Sequence, residues 1–113
     1  MSVYVNNLTI NQNTDFEQTF TLETGENLLI NLTGYTFKAE MRKHPTSVGV
    51  TTFTTGIYGN PSNGQVKIGL STSQTASIKE GRYVYDIVMT NTVGKMSRVI
   101  EGMALVRPGA TKF

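Results

Sequence analysis

Period-two alternation of apolar and polar residues recurs along almost the whole chain, and nothing else constrains the fold as much. In "DFEQTFTLE", Phe16, Gln18, Phe20 and Leu22 fall on one side, with Glu17, Thr19, Thr21 and Glu23 on the other. "YTFKAEMRK" repeats the pattern, setting Tyr35, Phe37, Ala39 and Met41 against Thr36, Lys38, Glu40 and Arg42. In "GQVKIGL" the inward set is Val66, Ile68 and Leu70. Successive side chains of an extended strand point to opposite faces, so each run marks a strand with one face in a core.

Turn-forming residues separate the runs: "NQNTD" before Asp15, "TGEN" at 24–27, "LTGY" at 32–35 and "GNPSNG" at 59–64. Strands are predicted near 3–10, 15–23, 28–31, 35–43, 51–58, 64–70, 82–91 and 95–106. Eight short strands, with no helix long enough to cover a parallel sheet, predict a β-sandwich. A chain of 113 residues supports one hydrophobic core, hence a single domain over 1–113.

One segment departs from alternation. "STSQTASIKEG" places Ser71 three residues before Gln74, the spacing of a capping box, with Ala76 and Ile78 behind it. A single helical turn near 72–78 is predicted, closed by Gly81, carrying the chain across the end of the sandwich from one sheet to the other. Then comes Gly81-Arg82-Tyr83-Val84-Tyr85. In immunoglobulin-like domains a short crossover leads into a strand of this kind, whose tyrosine hydroxyl bonds back to the upstream backbone while the residue two places later fills the centre. The spacing makes Tyr83 the corner tyrosine, with a buried ring and a hydroxyl bonded near residues 77–80. Tyr85 falls where antibody domains carry a disulfide cysteine. The predicted fold is therefore all-β: an immunoglobulin-like β-sandwich of about 7–8 antiparallel strands with one short helical turn. "NTVG" and "KMSRVIEGMALV" complete a hairpin, and a change of alternation around Glu101-Gly102 predicts a β-bulge there.

The residues that carry chemistry are sparse. Without cysteine there is neither a disulfide nor a thiolate metal site. His44, the single histidine, sits in "KHPTSVG" with no nucleophile motif near it, and reads as a surface-loop residue. The acids are dispersed along separate strands, so no metal or other cofactor is expected, and no enzyme. Arg42, Lys43 and His44 form the one basic cluster while the aromatic residues take inward positions, which argues against nucleic-acid binding. No apolar run approaches membrane-spanning length, the first residues lack the pattern of a signal peptide, and the Asn-x-Thr sequons at Asn7 and Asn31 read as chance. Charge is uneven: residues 1–37 hold Asp15, Glu17, Glu23 and Glu26 with no base, −4, and the remainder holds ten bases against four acids, +6. Such asymmetry suits head-to-tail contacts between copies, unless folding mixes the two halves over one surface.

Four stretches carry a resemblance: "INQNTDFEQTFTL" (10–22), "LTGYTFKAEMRK" (32–43), "NGQVKIGLSTSQTASIKEGRYVYDIVM" (63–89) and "SRVIEGMALVRPG" (97–109). In this order the chain resembles small immunoglobulin-like virion structural proteins of tailed phages and is more distantly similar to the amino-terminal domain of phage upper baseplate proteins. The resemblance implies a non-catalytic subunit of the virus particle, in the tail, baseplate or capsid exterior. Its partners would be other virion proteins, with homo-oligomers among the arrangements open to it. It transfers no binding residue. From the residues themselves, Ile57 and Tyr58 in "TTGIYGNPSNG" are candidates for a host-recognition surface, and Phe113 at the end of "RPGATKF" for docking on a neighbour.

Overall fold

The computed structural model describes residues 4–23 and 28–111. The strands are β1 (Tyr4–Val5), β2 (Leu8–Asn11), β3 (Phe16–Thr21), β4 (Thr36–Arg42), β5 (Thr51–Ile57), β6 (Gln65–Leu70), β7 (Gly81–Thr90) and β8 (Met96–Arg107), with a 3-10 turn (Pro61–Asn63) between β5 and β6 and an α-helix, α1 (Thr72–Ala76), between β6 and β7. They form one curled sheet in the order β1–β8–β7–β4–β5–β6–β3, with β2 also on β8. β5 turns the corner: Thr51–Phe53 pair with β4 and Thr54–Ile57 with β6, so the sheet doubles into two layers. This order, with a first strand lying parallel beside the last, is that of an immunoglobulin-like β-sandwich. The parallel pairing of β1 and β2 is the one departure from the antiparallel arrangement expected; every other ladder is antiparallel.

The inward positions read from alternation fill the space between the layers. Phe16, Phe20, Leu22, Val66, Ile68 and Leu70 on one side meet Ala39, Met41, Phe53, Tyr85, Ile87 and Met89 on the other, all buried. At the centre the Phe16 and Phe53 rings lie 6.1 Å apart, and the Tyr85 ring meets Phe53 edge-on at 6.2 Å. Tilted and edge-on aromatic pairs at such distances add about 0.5–1.5 kcal/mol each beyond the area they bury.

The crossover is tied down by short polar residues. The Ser71 hydroxyl accepts from the Gln74 backbone N–H and the Gln74 side chain accepts from the Ser71 N–H, the capping box read from the spacing. A second tie comes from the start of β3: one carboxylate oxygen of Asp15 accepts from both the Thr72 N–H and its hydroxyl. Thr75, fully buried, donates its hydroxyl to the Thr14 carbonyl at 2.7 Å and accepts from the Thr14 N–H at 3.2 Å. Thr14 and Asp15 therefore brace α1 against β3, two motifs of the sequence meeting in one joint.

Four expectations are corrected. The helix ends at Ser77, whose backbone is right-handed; Gly81, with φ of 139°, opens β7 instead, and a Cβ there would meet the Lys43 ammonium. Residues 28–31 form no strand: Leu29 makes an isolated bridge to Glu23, and backbone bonds run from Ile30 to the Leu22 carbonyl and from Leu32 to the Pro61 carbonyl. The predicted strand 3–10 is divided at Asn6-Asn7. The bulge lies at Val99, where the register steps from Ile87–Ile100 to Val88–Arg98 and two consecutive residues, Val99 and Ile100, are buried. Gly102 is there for another reason: a Cβ on it would overlap the carbonyl of Asn6, which crosses over it. The "TGEN" turn lies outside the described residues.

Candidate interaction surfaces

Two of the residues marked by sequence are architectural. Tyr83 donates its hydroxyl to the Lys79 carbonyl at 2.6 Å, a closure of the crossover within the predicted span. Its ring is half-buried rather than buried, and the Lys43 ammonium lies over it, 4.8 Å from the ring centre. Tyr85 is 4% exposed and donates to the Asn6 carbonyl at 2.5 Å. Burial pushes its phenol from 10.0 to about 12, since the phenolate would sit in the core without water. Asn6, Tyr85 and Gly102 form a joint that pins the break between β1 and β2 to the sheet. Asn7 completes it, its side-chain oxygen accepting from the Met103 N–H. Sequence marked Tyr85 and Gly102 separately; only the fold shows that Asn6 joins them. Asn31 is likewise engaged, accepting from the Thr33 N–H and hydroxyl.

One polar surface is the outward face of β4, β7 and β8. Register places Glu40, Asp86 and Glu101 side by side in one row across three strands. The next row is Lys38, Val88 and Arg98, and on the other side lies Arg42, Val84 and Met103. Like charges directly opposite one another weaken a sheet, so the acidic row opposes pairing. Neighbouring cations offset part of that cost: Arg98 to Asp86 at 3.3 Å, Arg42 to Glu40 at 3.4 Å and Lys38 to Glu40 at 3.7 Å. Exposed pairs of this kind are worth about 0–1 kcal/mol each. Arg42 is further committed to the Ser47 carbonyl at 2.8 Å. At the margin of this face Val5 is 76% exposed and Met103 47%. Among the described residues, no strand pairs with the free side of β1 or β2.

A second surface is a trough of about 570 Å³ on the outward face of β3, β6 and β5. Gly69 lies between Glu17 and Thr54, and Gly56 beside Lys67, so its floor is bare backbone. Lys67 bridges its walls, 3.4 Å from the Glu17 carboxylate and 5.9 Å from the centre of the Tyr58 ring. Glu17 from the acidic first third thus pairs with a base from the rest of the chain. Tyr58 is 50% exposed and lines the trough; Ile57 packs against the core, which leaves Tyr58 as the accessible member of that pair. Phe113 lies outside the described residues. His44 is an exposed loop residue whose ring bonds the Thr46 hydroxyl at 2.9 Å. Among the described residues no group of three His, Cys, Asp or Glu side chains could hold a metal ion. No helix among them is long and apolar enough to cross a membrane.

No protein family matches the chain, and no curated protein matches it. Among solved structures it is similar to a chain from a photo-crosslinking study of multimeric cell-adhesive interactions of VGSC beta subunits, at 10% identity and a TM-score of 0.46 over 95% of this chain and 93% of that one. The class defined here, an immunoglobulin-like sandwich with an outward charged face, rests on strand order and register rather than on that likeness.

Proposed function

We propose that the chain is a non-catalytic structural subunit of a phage particle, in the tail, baseplate or capsid exterior, acting through protein–protein contacts. The observation that carries the reading is the open margin of the sheet. Among the described residues β1 and β2 bond β8 on one side only, and "VYVNNLTI" has no charge to blunt the other. Such an edge is a template for pairing with another chain unless something covers it. The resemblance to phage virion domains supplies the setting, and the polar joints at α1 and Asn6 tie the crossover and the first strands to the sheet. Mass spectrometry of purified particles tests the proposal, with copy number measured against the major capsid protein. Few copies favour tail or baseplate, and copies comparable with the capsid protein favour decoration. Presence only in the infected-cell lysate overturns it.

The trough beside Tyr58 favours a second reading, a host-recognition module binding a cell-surface ligand. Loss of cell binding in Tyr58→Ala, with the fold intact, would support it over the assembly reading.

A further inference from the structure

Along the outward face of β4, β7 and β8, the sign of charge reverses from one row to the next: Glu40, Asp86 and Glu101, then Lys38, Val88 and Arg98. Same-face rows lie about 7 Å apart, twice the rise of a strand residue. Consider a two-fold axis in the plane of contact, along the rows and midway between these two. It reverses strand direction, exchanges the rows and keeps β4 over β4 and β8 over β8. Glu40 then faces Lys38 of the second copy, and Glu101 faces Arg98 of the second copy, each contact occurring twice. We propose that this face joins two copies of the chain in a two-fold, strand-antiparallel dimer.

The pattern selects this axis over its neighbour. The row on the other side offers a single cation, Arg42, which the Ser47 carbonyl holds as well as Glu40, whereas Lys38 and Arg98 each pair with one carboxylate. Lys38 and Arg98 side chains are 72% and 54% exposed, within reach of a second molecule. Val88 and Val84, both half-buried in the sheet, give the centre of the patch its apolar content. Three strands about 4.8 Å apart and four rows about 7 Å apart, the fourth being Thr36, Thr90 and Met96, span roughly 15 by 25 Å. That is about 750 Å² over the two copies, below the range of standard specific interfaces and in that of weak, transient contacts, which sets the expected dissociation constant at about tens to hundreds of micromolar. The dimer deepens the assembly reading by naming one partner, and its test in purified protein is separate from the analysis of particles.

Sedimentation of the full chain from about 1 to about 500 µM at low salt should show a monomer–dimer equilibrium that weakens as salt approaches about 1 M, where screening acts over about 3 Å. An acid-reversed chain, Glu40→Lys with Glu101→Lys, and a base-reversed chain, Lys38→Glu with Arg98→Glu, should each be monomeric. Mixed in equal amounts they should form the heterodimer, because every contact is again between opposite signs. If a reversed chain fails to fold by circular dichroism, Lys38→Gln with Arg98→Gln replaces it and should weaken the dimer at least tenfold. A wild-type chain that stays monomeric throughout, or reversed chains that self-associate as the wild type does, would overturn the proposal. A monomer that is nonetheless found in particles removes the dimer and leaves the subunit reading standing.

Discussion

The two faces of β7 differ in what holds them. Inward, Tyr83, Tyr85, Ile87 and Met89 meet core partners, and both tyrosine hydroxyls find backbone carbonyls. Outward, Val84, Asp86, Val88 and Thr90 are each partly exposed, and Asp86 lies between two other carboxylates. The inward face is what folding alone would choose. The outward face carries a repulsive row that pairing within the sheet does not require, and the proposed dimer would give that row opposite charges to meet. Substitutions on the two faces should therefore separate stability from association.

The largest effect is expected at the core. Tyr85→Ala removes a central ring and its bond to Asn6, and should cost about 3–5 kcal/mol in urea unfolding. A loss under about 1 kcal/mol would mean that the aromatic cluster around Phe53 supports little. Thr75→Val keeps the shape but strands the Thr14 backbone groups, and should cost about 1–3 kcal/mol. Tyr83→Phe deletes one hydrogen bond and should cost about 1 kcal/mol.

Alkaline pH probes the inward face without mutation. The folded Tyr85 phenol, raised to about 12, stays neutral where the unfolded one ionises. Its contribution is complete below the unfolded value near 10 and is lost as pH climbs from there through about 12. Tyr85→Phe should flatten that part of the stability curve; an unchanged slope would place the alkaline loss elsewhere.

The same contrast explains what sequence disclosed. Phe16 to Leu22 and Tyr35 to Met41 alternate because one face is buried, and that signal is local to each strand. The Ser71–Gln74 cap and the Gly81-x-Tyr83 spacing are also local, and the hydrogen bonds they foretell are present. Residues 28–31 misled because three apolar residues in a row, Leu28, Leu29 and Ile30, carry no period. Gly102 misled because a strand glycine answers equally to a bulge or to a close crossing, and the crossing residue, Asn6, is nearly a hundred positions away. The outward rows were illegible for the same reason: Glu40, Asp86 and Glu101 become neighbours only through register, which no single strand encodes.

The central claim is that the outward acidic row serves contact and not the fold's own stability. Urea unfolding of the triple variant Glu40→Gln, Asp86→Asn, Glu101→Gln, at a concentration low enough to keep the chain monomeric, tests it directly. Three surface ion pairs worth about 0–1 kcal/mol each, of which Arg42–Glu40 is partly buried, are lost while repulsion across the row is relieved, so unfolding free energy should stay within about 1 kcal/mol of the wild type. A loss of more than about 2 kcal/mol would show that the row supports the sheet itself, and would contradict the account.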